Sequence, residues 1–403
     1  MSTSSSPRLD RRGWIAIVGV GLAQIVGWGS SFFLPSVLGR DFQRDLGISA
    51  EIVFAGVTVM FVIGAVTAPA IGKALDRSGA RTIMATGSAL MGLSVASLAL
   101  AEGFWSYAAS WVAIGFASGF ALSSTANVAV TQVAGPAARR AIAFLTVIGG
   151  LASTAFWPLT TALDAAVGWR ATCVLYGGLH FALCLPIHLL VLPRGRPAIR
   201  TSDADGATTM HGTLAPQHRR LAYWLMAGSL ATGTLVYNGM ALHVIGILRG
   251  LGHSDTTAVA IAMLIGPAQM AVRLVEVVFG GRYTMMAAAL VASSALPLAL
   301  SLLLGLGGHA GAALSALALY GVANGLKAIV RTAWPLALFG HEGFGALMGR
   351  LAVWQNIASA ASPVILAAII GRFGAEGGLV FGIVAGSIAL LGTIGLARHA
   401  RAR

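Results

Sequence analysis

Four charged residues lie within long apolar stretches of this 403-residue sequence: Arg273, Glu276, Lys327 and Arg331. A charged side chain at the centre of a hydrocarbon layer costs roughly 2.5 to 3.5 kcal/mol on insertion scales, so residues of this kind are the first candidates for function. Three of the four are basic. As a group, these four residues favour the binding of an anion.

Lys327 belongs to a stripe of polar residues. Tyr320, Asn324, Lys327 and Arg331 follow one another at spacings of 4, 3 and 4, which places them on one face of a helix. We expect Lys327 to supply the positive charge for an anionic substrate, while Asn324 and Tyr320 orient it. The alternative is a lysine whose long side chain extends to the cytoplasmic surface.

Arg273 and Glu276 are three residues apart, so they can pair on one helix face or with the helix that carries Lys327. Two interpretations stay open. The glutamate carries protons when its cationic partners move away, or the pair is a static contact that closes the cytoplasmic side. Arg331, at a similar depth, belongs to the same group.

Further polar residues interrupt other apolar runs. Gln24 and Trp28 are four apart and share a helix face near the middle of the first run. They could bond to and stack on a ligand, although Trp28 also suits packing or an interfacial anchor. Asn127 and the adjacent pair Tyr237 and Asn238 are weaker candidates of the same kind.

The bulk composition places the chain in a membrane. Hydrophobic residues make up 57% of the sequence and charged residues 10%, against about 25% charged residues in a soluble globular domain. The mean hydropathy is +0.83. A net charge of +13 would also suit a nucleic-acid binder, but the basic residues are scattered and form no patch. We therefore expect no nucleic-acid partner.

Twelve apolar runs are long enough to cross a hydrocarbon core of about 30 Å, which takes roughly 20 helical residues. The first half has spans at 14–38, 50–73, 81–101, 104–132, 137–166 and 170–192. The second half has spans at 220–247, 255–280, 283–305, 309–339, 346–370 and 375–397. The predicted fold class is an all-α membrane protein with twelve transmembrane helices.

A polar segment separates two sets of six spans. We expect residues 193–219 to form a cytoplasmic linker between bundles at 14–192 and 220–397, with cytoplasmic termini at 1–13 and 398–403. Of the 26 Lys and Arg residues, about 18 fall on the linker side and about 5 on the other. Because basic loops stay inside, this count predicts cytoplasmic termini.

The two halves of the chain also share similar short sequence segments. Residues 115–119 (GFASG) match residues 321–325 (GVANG) at an offset of 206, and the same offset brings residues 152–153 onto 358–359. Internal duplication of a helical unit is typical of transporter folds, whose substrate site lies between the repeats near the membrane midplane.

The segment after the second span carries a family resemblance. Residues 72–81 read GKALDRSGAR, with glycines that permit a tight turn, Asp76, and basic residues at Arg77 and Arg81. Together with the spans, the linker and the half-repeat, this segment resembles the major facilitator superfamily. The resemblance implies two pseudo-symmetric six-helix bundles and a cytoplasmic gate in which Asp76 meets the start of span 11 near residues 345–350. The alternative is a merely solvated loop.

The resemblance also implies that spans 1, 4, 7 and 10 line the substrate cavity. The predicted substrate-binding set is therefore Gln24, Trp28, Asn127, Tyr237, Asn238, Tyr320, Asn324 and Lys327. The predicted coupling or gate set is Arg273, Glu276, Arg331, Asp76, Arg77 and Arg81.

Sequence features of particular branches of this superfamily indicate which kinds of substrate are favoured. Some similarity to monocarboxylate and oxalate/formate porters fits a basic residue in span 8, although the acid that they carry one turn earlier is absent. Drug-efflux branches carry an arginine about where Trp111 stands, and their Gly-Pro signature in span 5 is missing. A standard multidrug antiporter is therefore less favoured.

These features predict a symporter or antiporter of a bacterial inner membrane that moves a small organic anion by alternating access, coupled to protons or another ion. We expect a monomer without a cofactor. Efflux of a drug, metabolite or metalloid is the alternative, although Cys173 and Cys184 lie about 16 Å apart along one helix and suit a metalloid poorly. A channel or a membrane enzyme is less favoured, since there is no metal-ligand cluster and no Gly-x-Ser-x-Gly elbow.

Overall fold

The computed structural model describes residues 11–134, 138–193, 216–279, 284–339 and 344–401, and this part of the chain folds into fourteen α-helices. The first half has α1 (Arg11–Gly29), α2 (Leu34–Leu46), α3 (Ala50–Ser97), α4 (Phe104–Ala121), α5 (Ser123–Ala134), α6 (Ala138–Gly149), α7 (Ala152–Leu179) and α8 (Leu185–Val191). The second half has α9 (Arg219–Gly250), α10 (Asp255–Ala262), α11 (Ile265–Phe279), α12 (Met285–Leu306), α13 (Ala310–Phe339) and α14 (Phe344–Arg401). A π-helical turn, His180–Cys184, joins α7 to α8.

Within these residues, ten helical segments are long and apolar enough to cross a membrane. Two of them, Phe144–Val191 and Arg350–His399, have 48 and 50 residues and are each long enough for two crossings. In each, one glycine has a positive φ, 76° at Gly168 and 69° at Gly374, and the chain turns there between crossings. Counting both segments twice gives the twelve spans of the predicted fold class.

The chain divides into two compact units, Met1–Thr201 and Ser202–Arg403. The division falls inside the predicted linker, most of which lies outside the described residues. Each unit has its own apolar core. In the first unit the core includes Ile17, Met84 and Val130, and in the second it includes Met226, Trp334 and Leu396.

Large apolar side chains also lie on the outside of the helices. Trp105 and Leu190 are both 82% exposed, and Val66 is 72% exposed. Exposed apolar side chains are ordinary when single, but many of them on helices of this length suit a hydrocarbon surrounding.

The echoed glycines lie at helix contacts of the same kind in the two units. A Cβ atom on Gly115 of α4 would lie 3.0 Å from the Cα atom of Met60 on α3. On Gly321 of α13 it would lie 2.8 Å from the carbonyl oxygen of Ile265 on α11. Only glycine allows backbones to approach this closely. The sequence echo therefore corresponds to two matching sites of close helix packing.

Candidate substrate site

Lys327 lies on α13 and is partly buried. Its ammonium nitrogen stands 4.4 Å from the ring centre of Tyr237, which lies on α9. An ammonium group over an aromatic face is attracted by the ring quadrupole, by about 0.5 to 2 kcal/mol depending on its exposure. The ion pairs among the described residues do not include Lys327. Its positive charge is therefore held by an aromatic ring rather than by a described carboxylate.

Tyr320 fixes the position of Tyr237. The hydroxyl group of Tyr320 donates a hydrogen bond of 2.9 Å to the main-chain oxygen of Tyr237, and the two ring centres are 5.4 Å apart. Both side chains are almost fully buried, at 1% and 4% exposed. Three residues predicted from the sequence, Tyr237, Tyr320 and Lys327, thus lie together within the second unit.

The remaining candidates of this unit are more open. Asn238 on α9 and Asn324 on α13 are partly buried, as is Arg273 on α11, whereas Arg331 is exposed. The side chain of Glu276 lies outside the described part of the chain. Lys327 and Arg331 are one helical turn apart yet differ in their surroundings.

In the first unit, Gln24 supports a break in the fourth span. The helix is interrupted at Leu122, where φ and ψ are −100° and −179°, between α4 and α5. The side-chain amide of Gln24 donates a 2.8 Å hydrogen bond to the main-chain oxygen of Ala121, and the hydroxyl of Thr125 donates one of 2.7 Å to that of Gly119. These bonds satisfy carbonyl groups at an interrupted helix.

Trp28 and Asn127 occupy different settings in the same unit. Trp28 is partly buried, and its ring centre lies 5.8 Å from that of Phe32 and 6.5 Å from that of Phe61. Asn127, on α5, is partly buried. Trp28 is thus part of an aromatic cluster, which does not distinguish ligand stacking from packing.

The predicted gate segment forms a turn within α3. Gly79 has a φ of 76°, a conformation that favours glycine, and it lies between Arg77, which is exposed, and Arg81, which is partly buried. The side chain of Asp76 lies outside the described residues. The glycine turn expected from residues 72–81 is therefore present, while the role of Asp76 stays a prediction.

Sequence analysis missed two buried histidines in the first unit. Nε2 of His180 lies 2.9 Å from the hydroxyl of Ser30, and Nδ1 of His188 lies 2.7 Å from that of Ser88. The criterion that selected Gln24, a polar residue within an apolar run, applies to both histidines as well and would have identified them.

The comparisons with known proteins agree with this architecture. The family model described as the Major Facilitator Superfamily matches residues 16–326, about three quarters of the chain. The chain belongs to the Major Facilitator Superfamily. It is therefore a multi-pass membrane protein and a secondary transporter, not an enzyme, and members of this superfamily bind small-molecule substrates within the membrane.

Several solved structures share the fold. A mutant of the nucleoside transporter NupG has a TM-score of 0.74 at 13% identity, covering 96% of this chain and 100% of its own, and another NupG structure scores 0.72 at 12% identity, covering 98% and 100%. A bacterial homolog of the human lysosomal transporter Spinster, inward-facing and unoccupied, scores 0.68 at 14% identity, covering 97% and 99%. No curated protein sequence matches significantly. At such identities the similarity shows the fold alone.

Proposed function

We propose that this superfamily member carries a small organic anion across a bacterial inner membrane, by alternating access and coupled to protons. Its domain boundaries would be those predicted from the sequence, with the termini and the linker in the cytoplasm. The observation that carries the proposal is the Lys327 ammonium group, 4.4 Å above the ring of Tyr237 and in no ion pair with the described residues. Such a cation attracts a negatively charged group strongly in surroundings of low polarity.

The proposal assigns separate roles to the other predicted residues: solute binding, proton coupling and gating. Asn324 and Asn238 are partly buried and can hydrogen-bond to the solute in the second unit. Gln24, Trp28 and Asn127 remain the predicted solute-binding residues of the first unit. Arg273, Glu276 and Arg331 would couple proton movement to the cycle, and Asp76, Arg77 and Arg81 would form the cytoplasmic gate.

Transport by purified protein in proteoliposomes tests the substrate class. Labelled monocarboxylates and dicarboxylates should enter saturably and faster than neutral nucleosides of similar size, and an imposed pH gradient should change the initial rate. Nucleosides are the informative neutral comparison because NupG, a protein of similar fold, is named a nucleoside transporter. A preference for neutral solutes would contradict the proposal, and an ohmic current would indicate a channel.

A pair of variants tests the role of Lys327. Lys327→Ala should reduce the initial rate of anion uptake at least about tenfold, because removing a charge from a site of low polarity costs more than one hydrogen bond to a charged group. Arg398→Ala, which removes an exposed cation on α14 that has no part in the proposed site or gate, is the control and should leave the initial rate near that of the wild type. Equal kinetics in the wild type and Lys327→Ala would remove the proposed site.

A further inference from the structure

In the second unit, a small and partly open cavity of about 30 Å³ lies between α9, α12, α13 and the C-terminal part of α14. The polar residues on its wall are Ser229, Tyr237, Ser293, Lys327 and Trp334, and the rest of the wall is apolar. A water molecule needs about 10–15 Å³ of such space. The cavity of about 30 Å³ therefore has room for roughly two to three waters or for one small ion.

The hydroxyl groups on one side of this cavity are already satisfied. Ser229 donates to the main-chain oxygen of Ala389 at 2.8 Å and lies 2.8 Å from the hydroxyl of Thr393. Ser293 lies 3.0 Å from the same Thr393 hydroxyl, which also donates to the oxygen of Ala389. This network joins α9, α12 and α14 and uses the available hydroxyl hydrogens.

The polar groups that remain are hydrogen-bond donors. Nε1 of Trp334 and the hydroxyl oxygen of Tyr237 are buried and have no hydrogen-bond partner among the described residues. An indole N–H and an ammonium group can only donate, and a phenol hydroxyl can donate or accept. A guest that reaches these groups can therefore be held by accepting hydrogen bonds from all three.

The charge on the cavity wall also favours an anion as the guest. Lys327 brings a positive charge to the cavity wall, and no described carboxylate is within ion-pair distance of its ammonium group. A buried charge without a counter-charge is expensive, and an unpaired buried donor also costs free energy. A small anion would offset both costs, whereas a water molecule would satisfy the donors and leave the charge.

We propose that this cavity binds one small inorganic anion of the size and charge of chloride, held by the ammonium group of Lys327, the indole N–H of Trp334 and the hydroxyl of Tyr237. The anion is a ligand of the second unit in the absence of any transported solute. The inference shares Lys327 with the proposed function but does not depend on transport.

The test uses the purified full-length protein without organic solute. Chloride replaces gluconate at constant ionic strength while the midpoint of thermal unfolding is measured, and the midpoint should rise and then saturate. Tyr237→Phe keeps the ring and Trp334→Phe keeps an aromatic side chain, and each removes one donor. Each should weaken the apparent chloride affinity about tenfold or more, as expected when one hydrogen bond to a charged group is lost. Lys327→Gln should abolish the effect.

Two control variants separate the cavity from general effects. Trp157→Phe removes another buried indole N–H without a described partner, in the first unit, and Arg398→Gln removes an exposed cation on α14. Both should keep the chloride dependence of the wild type. In crystals grown with bromide, anomalous scattering should place the ion beside Lys327 and Trp334.

An unfolding midpoint that is independent of chloride, equal chloride dependence in Trp334→Phe and the wild type, or bromide bound elsewhere would overturn the proposal and leave the cavity to water. If Lys327→Gln fails to fold, the two phenylalanine variants decide. Chloride binding without any anion transport means that the proposed function alone has failed. Anion transport without chloride binding means that this inference alone has failed.

Discussion

The hydroxyl oxygen of Ser30 and Nε2 of His180 lie 2.9 Å apart, although 150 positions separate them in the sequence. Ser30 belongs to the interruption between α1 and α2, and His180 begins the π-helical turn after α7. Both segments depart from regular α-helix, and π-helical turns often mark functional sites. The bond therefore joins two irregular places in the first unit.

Ser30→Ala should destabilise the protein by about 1 to 3 kcal/mol, because it removes a hydrogen-bond partner from a fully buried imidazole. The other ring nitrogen of His180 already has no partner among the described residues. Thermal or denaturant unfolding measures the change. Ser118→Ala is the control, since among the described residues that hydroxyl bonds to a carbonyl of its own helix and to no other group. Equal stability of the two variants would contradict the importance of the contact.

Gly321→Leu should reduce the yield of folded protein strongly, because the new side chain meets the backbone of α11 where a Cβ atom already lies 2.8 Å from a carbonyl oxygen. Overpacking of this kind costs typically 1 to 3 kcal/mol and sometimes more. Gly311→Leu, at an exposed position of the same helix with nothing within 4 Å of its Cβ, is the matched control. Size-exclusion profiles and unfolding midpoints compare the two, and a tolerated Gly321→Leu would contradict close packing there.

Tyr320→Phe should lower stability by about 0.5 to 1.5 kcal/mol, the net value of one hydrogen bond. It should leave the KM for an anionic solute nearly unchanged, because the hydroxyl is already bonded to the main chain of Tyr237. Tyr107→Phe loses the same kind of bond, to the oxygen of Val53 in the first unit, and should behave alike. A severalfold rise in KM for Tyr320→Phe only would instead favour direct contact between its hydroxyl and the solute.

Cysteine labelling should report the orientation in the membrane. Cys173 and Cys184 are buried, at 0% and 1% exposed, so an introduced surface cysteine should dominate the signal. With an impermeant maleimide, Glu102→Cys should react on intact cells, whereas Arg77→Cys should react only after the membrane is opened. Both positions are exposed and lie on opposite sides of the third span. The reverse pattern would invert the topology predicted from the basic loops.

The sequence was sufficient for the architecture because length and hydropathy determine which segments can cross a bilayer. The GFASG and GVANG segments were informative for a related reason. Glycines at helical spacing permit close approach of backbones, and Gly115 and Gly321 both lie at such contacts. Tyr320 and Lys327, which the helical spacing predicts on one helix face, both contact Tyr237.

The surroundings of that face could not be predicted. Periodicity gives the direction of a side chain around its own helix, but the neighbours depend on how other helices pack. Trp334 and Ser293, for example, line the same cavity because α12 and α13 pack side by side. The contact between Ser30 and His180 depends on the same long-range packing. The helix break at Leu122 contains no proline, so the sequence gives no local signal for it.

The glycine contacts also restrict how each unit can deform. Where Gly115 meets Met60 and Gly321 meets Ile265, the helix backbones lie too close to admit a side chain between them. We expect α3 and α4 to move together as one rigid pair during a transport cycle. We expect the same of α11 and α13. We expect bending within the first unit where regular α-helix is interrupted, for example at residues 30–33, at Leu122 and at the π-helical turn His180–Cys184.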